Sequence, residues 1–164
     1  MYRLSFIFLL AFFMRPVFAA DNGLSYVNIP AQIAKVQVQN GVSFDDAVDS
    51  LKLRANQHNL KFVGASPVYK EIEALTGKKS KRIEIFSFCD GITADKMLKA
   101  DPEIVSFMPC RVAILEDAQG KLWVISMMID PKMLEGLPPD TRKSAERVMH
   151  DLKDMMLAAS TGDL

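Results

Sequence analysis

Apolar and polar residues alternate along "IAKVQVQ", Ile33 to Gln39, which predicts a strand. Asn40-Gly41 then supplies a turn. From Ser43 the period changes. Phe44, Ala47, Val48, Leu51 and Ala55 recur on one helical face, and Asp45, Asp49, Lys52 and Arg54 lie elsewhere on the helix. Ser43 is placed to cap this helix, with Asp46 completing a capping-box pattern, and the helix is expected to end near Asn59. "LKFVGA", Leu60 to Ala65, predicts a second strand. Ser66-Pro67 predicts a cap followed by proline at the first helical position, in a short helix running to Leu75 with Gly77 beyond its end.

"RIEIFSFC", Arg82 to Cys89, predicts a third strand, with Ile83, Ile85, Ser87 and Cys89 on one face and Glu84, Phe86 and Phe88 on the other. A short helix carrying Ile92, Met97 and Leu98 stops by Asp101-Pro102, because the residue before proline avoids helical dihedrals. "CRVAILEDAQGKLWVISM" predicts two strands around a Gly120 hairpin. Pairing Asp117 with Lys121 sets Leu115 opposite Trp123, Ala113 opposite Ile125, Ile114 opposite Val124 and Cys110 opposite Met128. Asp140 is expected to cap a last helix whose apolar stripe is Ala145, Val148, Met149, Leu152, Met155 and Met156. Strands and helices in this order predict an α+β two-layer sandwich. Its one mostly antiparallel sheet has about 4–5 strands, with helices packed on one face.

The first residues follow a different logic. "MYRLSFIFLLAFFMRPVFAA" has Arg3 near its start and an apolar run from Leu4 to Met14. A membrane span needs about 20 apolar residues, and this run is shorter. It suits a secretory signal, with Val17 and Ala19 as the small residues before a cut. The organisation expected is therefore a signal peptide over 1–19, a lead-in over 20–32, an α+β domain over 33–135 and a C-terminal amphipathic helix over 136–164. The mature chain is expected to be exported, to the periplasm of a Gram-negative cell and otherwise secreted, with no membrane attachment after cleavage.

Charge adds an exclusion. The chain has 20 basic and 20 acidic residues, and segment 1–19 holds two arginines and no acid, so cleavage leaves 18 against 20. That balance gives no electrostatic basis for nucleic-acid binding. The most basic run, Lys78 to Arg82, is short and reads as a solvated turn.

Export changes the meaning of the two cysteines, because disulfides persist outside the cytosol. Cys89 ends one strand and Cys110 begins another. Three readings stay open: a structural or redox disulfide, two separate reduced thiols, or a soft-metal or haem-type site. Thiolates and thioethers favour copper(I), with Met108, Met128 and Met97 as candidate neighbours. Methionine is equally a common core filler. No C-x-x-C, C-x-x-C-H or H-x-x-x-H spacing occurs. His58 and His150 are both expected to be exposed. Glu116 and Asp117 are adjacent on a strand, point to opposite faces and cannot pair as acid and base, so Asp117 is assigned to the turn.

The block "DPEIVSFMPCRVAILEDAQGKLWV" resembles the domain of unknown function family 302. The matching positions are Met97, Leu98, Asp101, Pro102, Pro109, Arg111, Val112, Glu116, Asp117, Gly120 and Lys121, and the upstream "SFDDAVDSLKLRANQHNLKFVG" is similar to that family's first helix and second strand. The likeness runs from Ile33 to Ile129. It implies a compact α+β domain that self-associates as a homodimer, and it brings no catalytic residues. The function expected is an exported, non-enzymatic binding or accessory module for a protein partner or small ligand, with Cys89 and Cys110 as a disulfide or redox-responsive pair. The alternative is a copper or haem-type protein using Cys89 and Cys110 with Met108 or Met128, and the third reading is a thiol-dependent enzyme.

Overall fold

The computed structural model describes residues 31–163, so the expected signal peptide and nearly all of the lead-in lie outside the described residues. Five strands, β1 (Ala31–Gln37), β2 (Lys61–Ser66), β3 (Ile83–Cys89), β4 (Cys110–Glu116) and β5 (Leu122–Ile129), form one antiparallel sheet in the order β1-β5-β4-β3-β2. The helices are α1 (Phe44–Gln57), α2 (Val68–Thr76), α3 (Gly91–Ala100), the single turn α4 (Pro131–Leu134) and the long α5 (Pro139–Thr161). A 3-10 helix over Pro102–Phe107 links α3 to β4.

Alternation along the strands builds the main core. Phe86, Phe88, Val112, Ile114, Val124 and Met128 are buried on one sheet face. Against them pack Ala47, Val48, Leu51 and Ala55 of α1 and Val148, Leu152, Met155 and Met156 of α5. A second cluster at one end of the sheet joins Met97, Ile104, Ile129, Leu134, Leu137 and Ala145. Helix α2 buries no residue.

The hairpin register is the expected one for Leu115–Trp123, Ala113–Ile125 and Ile114–Val124. The β4–β5 ladder ends at Val112–Ser126, short of Cys110, and Met128 pairs with Gln32 of β1. The Ser43–Asp46 capping box forms: Ser43 Oγ accepts from Asp46 N, and Ser43 N donates to Asp46 Oδ2.

Two helix starts differ from expectation. Ser66 is the last residue of β2 and Pro67 takes the cap position of α2, with no side-chain cap bond. Pro138 occupies the cap of α5, again without such a bond, and Asp140 in its first turn accepts from Lys96 Nζ of α3 at 2.7 Å. In both places proline fixes the backbone direction; the Ser66 backbone pairs with Ile85 in the sheet, and the Asp140 carboxylate is taken by an ion pair.

Candidate functional site

The sheet order makes β3 and β4 neighbours, so the two cysteine-bearing ends meet. Phe88 stands directly opposite Cys110, and Cys89 is the next residue along. Both cysteines are free thiols, half-buried, and both line a cavity of about 40 Å³ between the strand ends, α3, the 3-10 helix and α5. Four methionines, Met97, Met108, Met127 and Met149, share that lining with Phe88, Ile104 and Leu152. Of the sequence-nominated sulfur residues, Cys89, Cys110, Met108 and Met97 therefore converge. Met128 does not line this cavity; it is buried in the main core, where its thioether fills space.

Local structure explains how the site is held. Asp90, next to Cys89, caps α3 by accepting from Ile92 N and Thr93 N at 3.0 and 3.1 Å. Asp101 caps the 3-10 helix through Glu103 N at 2.9 Å, which delivers Phe107 and Met108 to the cavity wall. Burial pushes the Cys110 thiol up to about 11, and the neighbouring Cys89 adds to the shift. A thiol in that environment stays protonated at neutral pH and is a poor nucleophile. Burial also works against ionisation of Asp90, but bonds from the Thr93 backbone and Arg147 outweigh it and hold this carboxyl below the usual range.

Cys89, Asp90 and Thr93 form a wall with two sides. On the far side lies an open polar cleft, lined also by His58, Lys61, Lys96 and Arg147. Arg147 of α5 donates to Asp90, and to Asp151 at 2.9 Å. His58 corrects its expected exposure. Its side chain is 25% exposed, Nε2 lies 2.7 Å from Asp154 Oδ2, and Nδ1 lies 3.4 Å from Asp151 Oδ1. The cause is position: His58 ends α1 where α5 crosses it, and α5 presents two carboxylates one helical turn or less apart. His150 is exposed as expected. Asp117 accepts from Gln119 N, Lys121 N and Trp123 Nε1, as its assignment to the turn requires.

The sequence did not nominate Asp90, Met127 or Met149. Asp90 carried a readable signal, an aspartate three residues before Thr93 at a strand-to-helix junction. Met127 and Met149 reach the site only through the sheet order and the crossing of α5, which no local pattern encodes.

Among the described residues no helix is long and apolar enough to cross a membrane, and no group of three or more His, Cys, Asp or Glu side chains is placed to hold a metal. The family model for the domain of unknown function DUF302 matches residues 34–159, which carries the likeness past Ile129 and through most of α5. A crystal structure of an uncharacterized conserved protein DUF302 from Bacillus stearothermophilus superposes with a TM-score of 0.61 at 18% identity, covering 77% of this chain and 97% of that one. At that identity the likeness is one of fold. No curated protein matches the sequence.

Proposed function

The chain belongs to the family of the domain of unknown function DUF302, and from that premise we propose an exported, non-enzymatic binding module whose ligand site is the sulfur-lined cavity and whose Cys89 and Cys110 are a redox-responsive pair. One observation carries the reading: two neighbouring strand ends bring both thiols to the same cavity. Their offset of one residue across an antiparallel pair puts the Cα atoms about 6 Å apart, inside the bridging window. Consecutive strand positions face opposite sides, so a bridge requires the β3 end to turn. That favours a bond that opens and closes over a permanent staple.

The non-enzymatic part is supported by the lining of the cavity, which among the described residues includes no histidine or lysine. His58 lies outside that lining, and burial holds Cys110 protonated. A haem-type ligand is disfavoured by size, since a cavity of about 40 Å³ has room for only a few water-sized groups. Export rests on the Arg3, Leu4–Met14 and Val17–Ala19 pattern, and mass analysis of the exported protein is expected to find Ala20 as its first residue. Self-association as a homodimer fits the sheet face turned away from α1 and α5, where Ile33 is 76% exposed and Met127 42%. Sedimentation of the native chain and of an Ile33→Lys variant tests it: a dimer that becomes a monomer is expected, and a wild-type monomer rejects it.

The redox reading is tested by thiol titration in denaturant before and after exposure to oxidised glutathione. Two titratable thiols before and none after, without dimerisation through sulfur, is the expected result. Two thiols remaining after oxidation would reject the pair.

A further inference from the structure

The cavity wall concentrates one kind of donor. Cys89, Cys110, Met97, Met108, Met127 and Met149 all line a cavity of about 40 Å³. The buried methionines of the main core, Met128, Met155 and Met156, pack among aliphatic and aromatic neighbours and lie outside this set. We propose that the cavity binds one copper(I) ion through the Cys89 and Cys110 sulfurs and the Met108 thioether, with the β3 end turned to bring Cys89 to the side of Cys110, an inference that rests on the cavity being the ligand site.

The chemistry selects the metal. Zinc takes four thiolate, imidazole or carboxylate donors, and among the described residues no group of even three such side chains is placed for it. Calcium and magnesium need oxygen ligands in number, which an apolar wall lacks. Thiolates completed by neutral thioethers are the soft set that copper(I) prefers. Met97 and Met149 line the same cavity beside these donors. Entry is provided by Cys89, which lines both the cavity and the open polar cleft. As each sulfur–copper bond forms, the coordinating thiol loses its proton to solvent, so the oxidation state of copper and sulfur is unchanged. A disulfide between Cys89 and Cys110 removes the thiolates and with them the site.

The test uses the reduced mature chain titrated with copper(I) against a chromophoric copper(I) chelator. One ion retained per chain is expected, with Zn(II) not retained under the same conditions. Cys89→Ser is expected to lower copper(I) affinity more than about 100-fold, beyond the roughly 10–100-fold that loss of outer support costs. Met108→Leu is expected to lower it at least about tenfold, and Met128→Leu to leave it unchanged. Should a cysteine variant not fold, alkylation of wild-type Cys89 with and without copper(I) gives the same answer: protection supports the site and equal labelling overturns it. Absence of retained copper, or retention indifferent to Cys89→Ser, also overturns it. If the thiols still join on oxidation, that failure leaves the redox reading intact. If copper is retained and the thiols never join, the redox reading alone falls.

Discussion

Asp117 shows how much one side chain can organise. Its Oδ1 accepts from Gln119 N and Lys121 N, each at 2.9 Å, and its Oδ2 from Trp123 Nε1 at 2.8 Å. The Trp123 bond and the Lys121 backbone bond hold its carboxyl below the ordinary range. Asp117→Ala leaves the indole and two turn amides without their acceptor. A lower melting temperature and a shifted emission of the single tryptophan are expected, and fluorescence-detected unfolding checks both. Cys110 makes the opposite kind of prediction. Its folded-state value of about 11 exceeds the ordinary 9.0, so the folded state holds a proton that the unfolded state releases. The stabilisation is complete below pH 9 and is lost as pH rises toward 11, and Cys110→Ala is expected to flatten that part of a melting-temperature profile. The turn role of Asp117 was legible because it is local to five residues. The environment of Cys110 was not, because burial depends on α5, some forty residues later in the chain.

Helix α5 is the largest element, and its apolar stripe was read from period alone: Ala145, Val148, Leu152, Met155 and Met156 are buried, and Met149 is half-buried beside the cavity. Leu152, 1% exposed, belongs to the main core and lines the cavity. Leu152→Ala is expected to cost about 2–5 kcal/mol in chemical denaturation, and Leu157→Ala, on the exposed side, within about 0.5 kcal/mol of zero. At the start of α1, Ser43→Ala is expected to cost about 1 kcal/mol through loss of the cap. The start of α5 was not legible. An aspartate after two prolines looks like a cap in sequence, but its partner is Lys96, brought alongside only when α3 packs on α5. Side-chain capping is readable when cap and capped amide lie within one turn, as at Ser43, and fails where a long-range ion pair competes for the same carboxylate.

At the scale of the molecule, ion pairs tie the helix layer together. Asp154 of α5 accepts from Arg54 and His58 of α1, Asp140 of α5 from Lys96 of α3, and Arg147 of α5 joins Asp90. Bonds from Arg54 first and His58 second depress Asp154, and the bond from Lys96 depresses Asp140. Asp90 is depressed as well, despite its burial. Depressed carboxyls bind fewer protons folded than unfolded, so their contribution is present above the ordinary value near 3.8 and disappears as pH falls below it. Melting temperature is expected to fall steeply below about pH 4, and Arg147→Ala to weaken that dependence. The fold class was legible because alternation, turns and stripes recur along the whole chain. The cavity was legible only in part: its cysteines stood out by scarcity, while Met127 required the strand order and Met149 the crossing of α5. Arg147 gives this arrangement an outward consequence. Cys89 and Asp90 are consecutive, and the Arg147 guanidinium on Asp90 is 47% exposed. Were the β3 end to turn and carry Cys89 toward Cys110, as the proposed redox pair requires, Asp90 would move with it, and the Asp90–Arg147 ion pair would report the state of the two thiols at the surface.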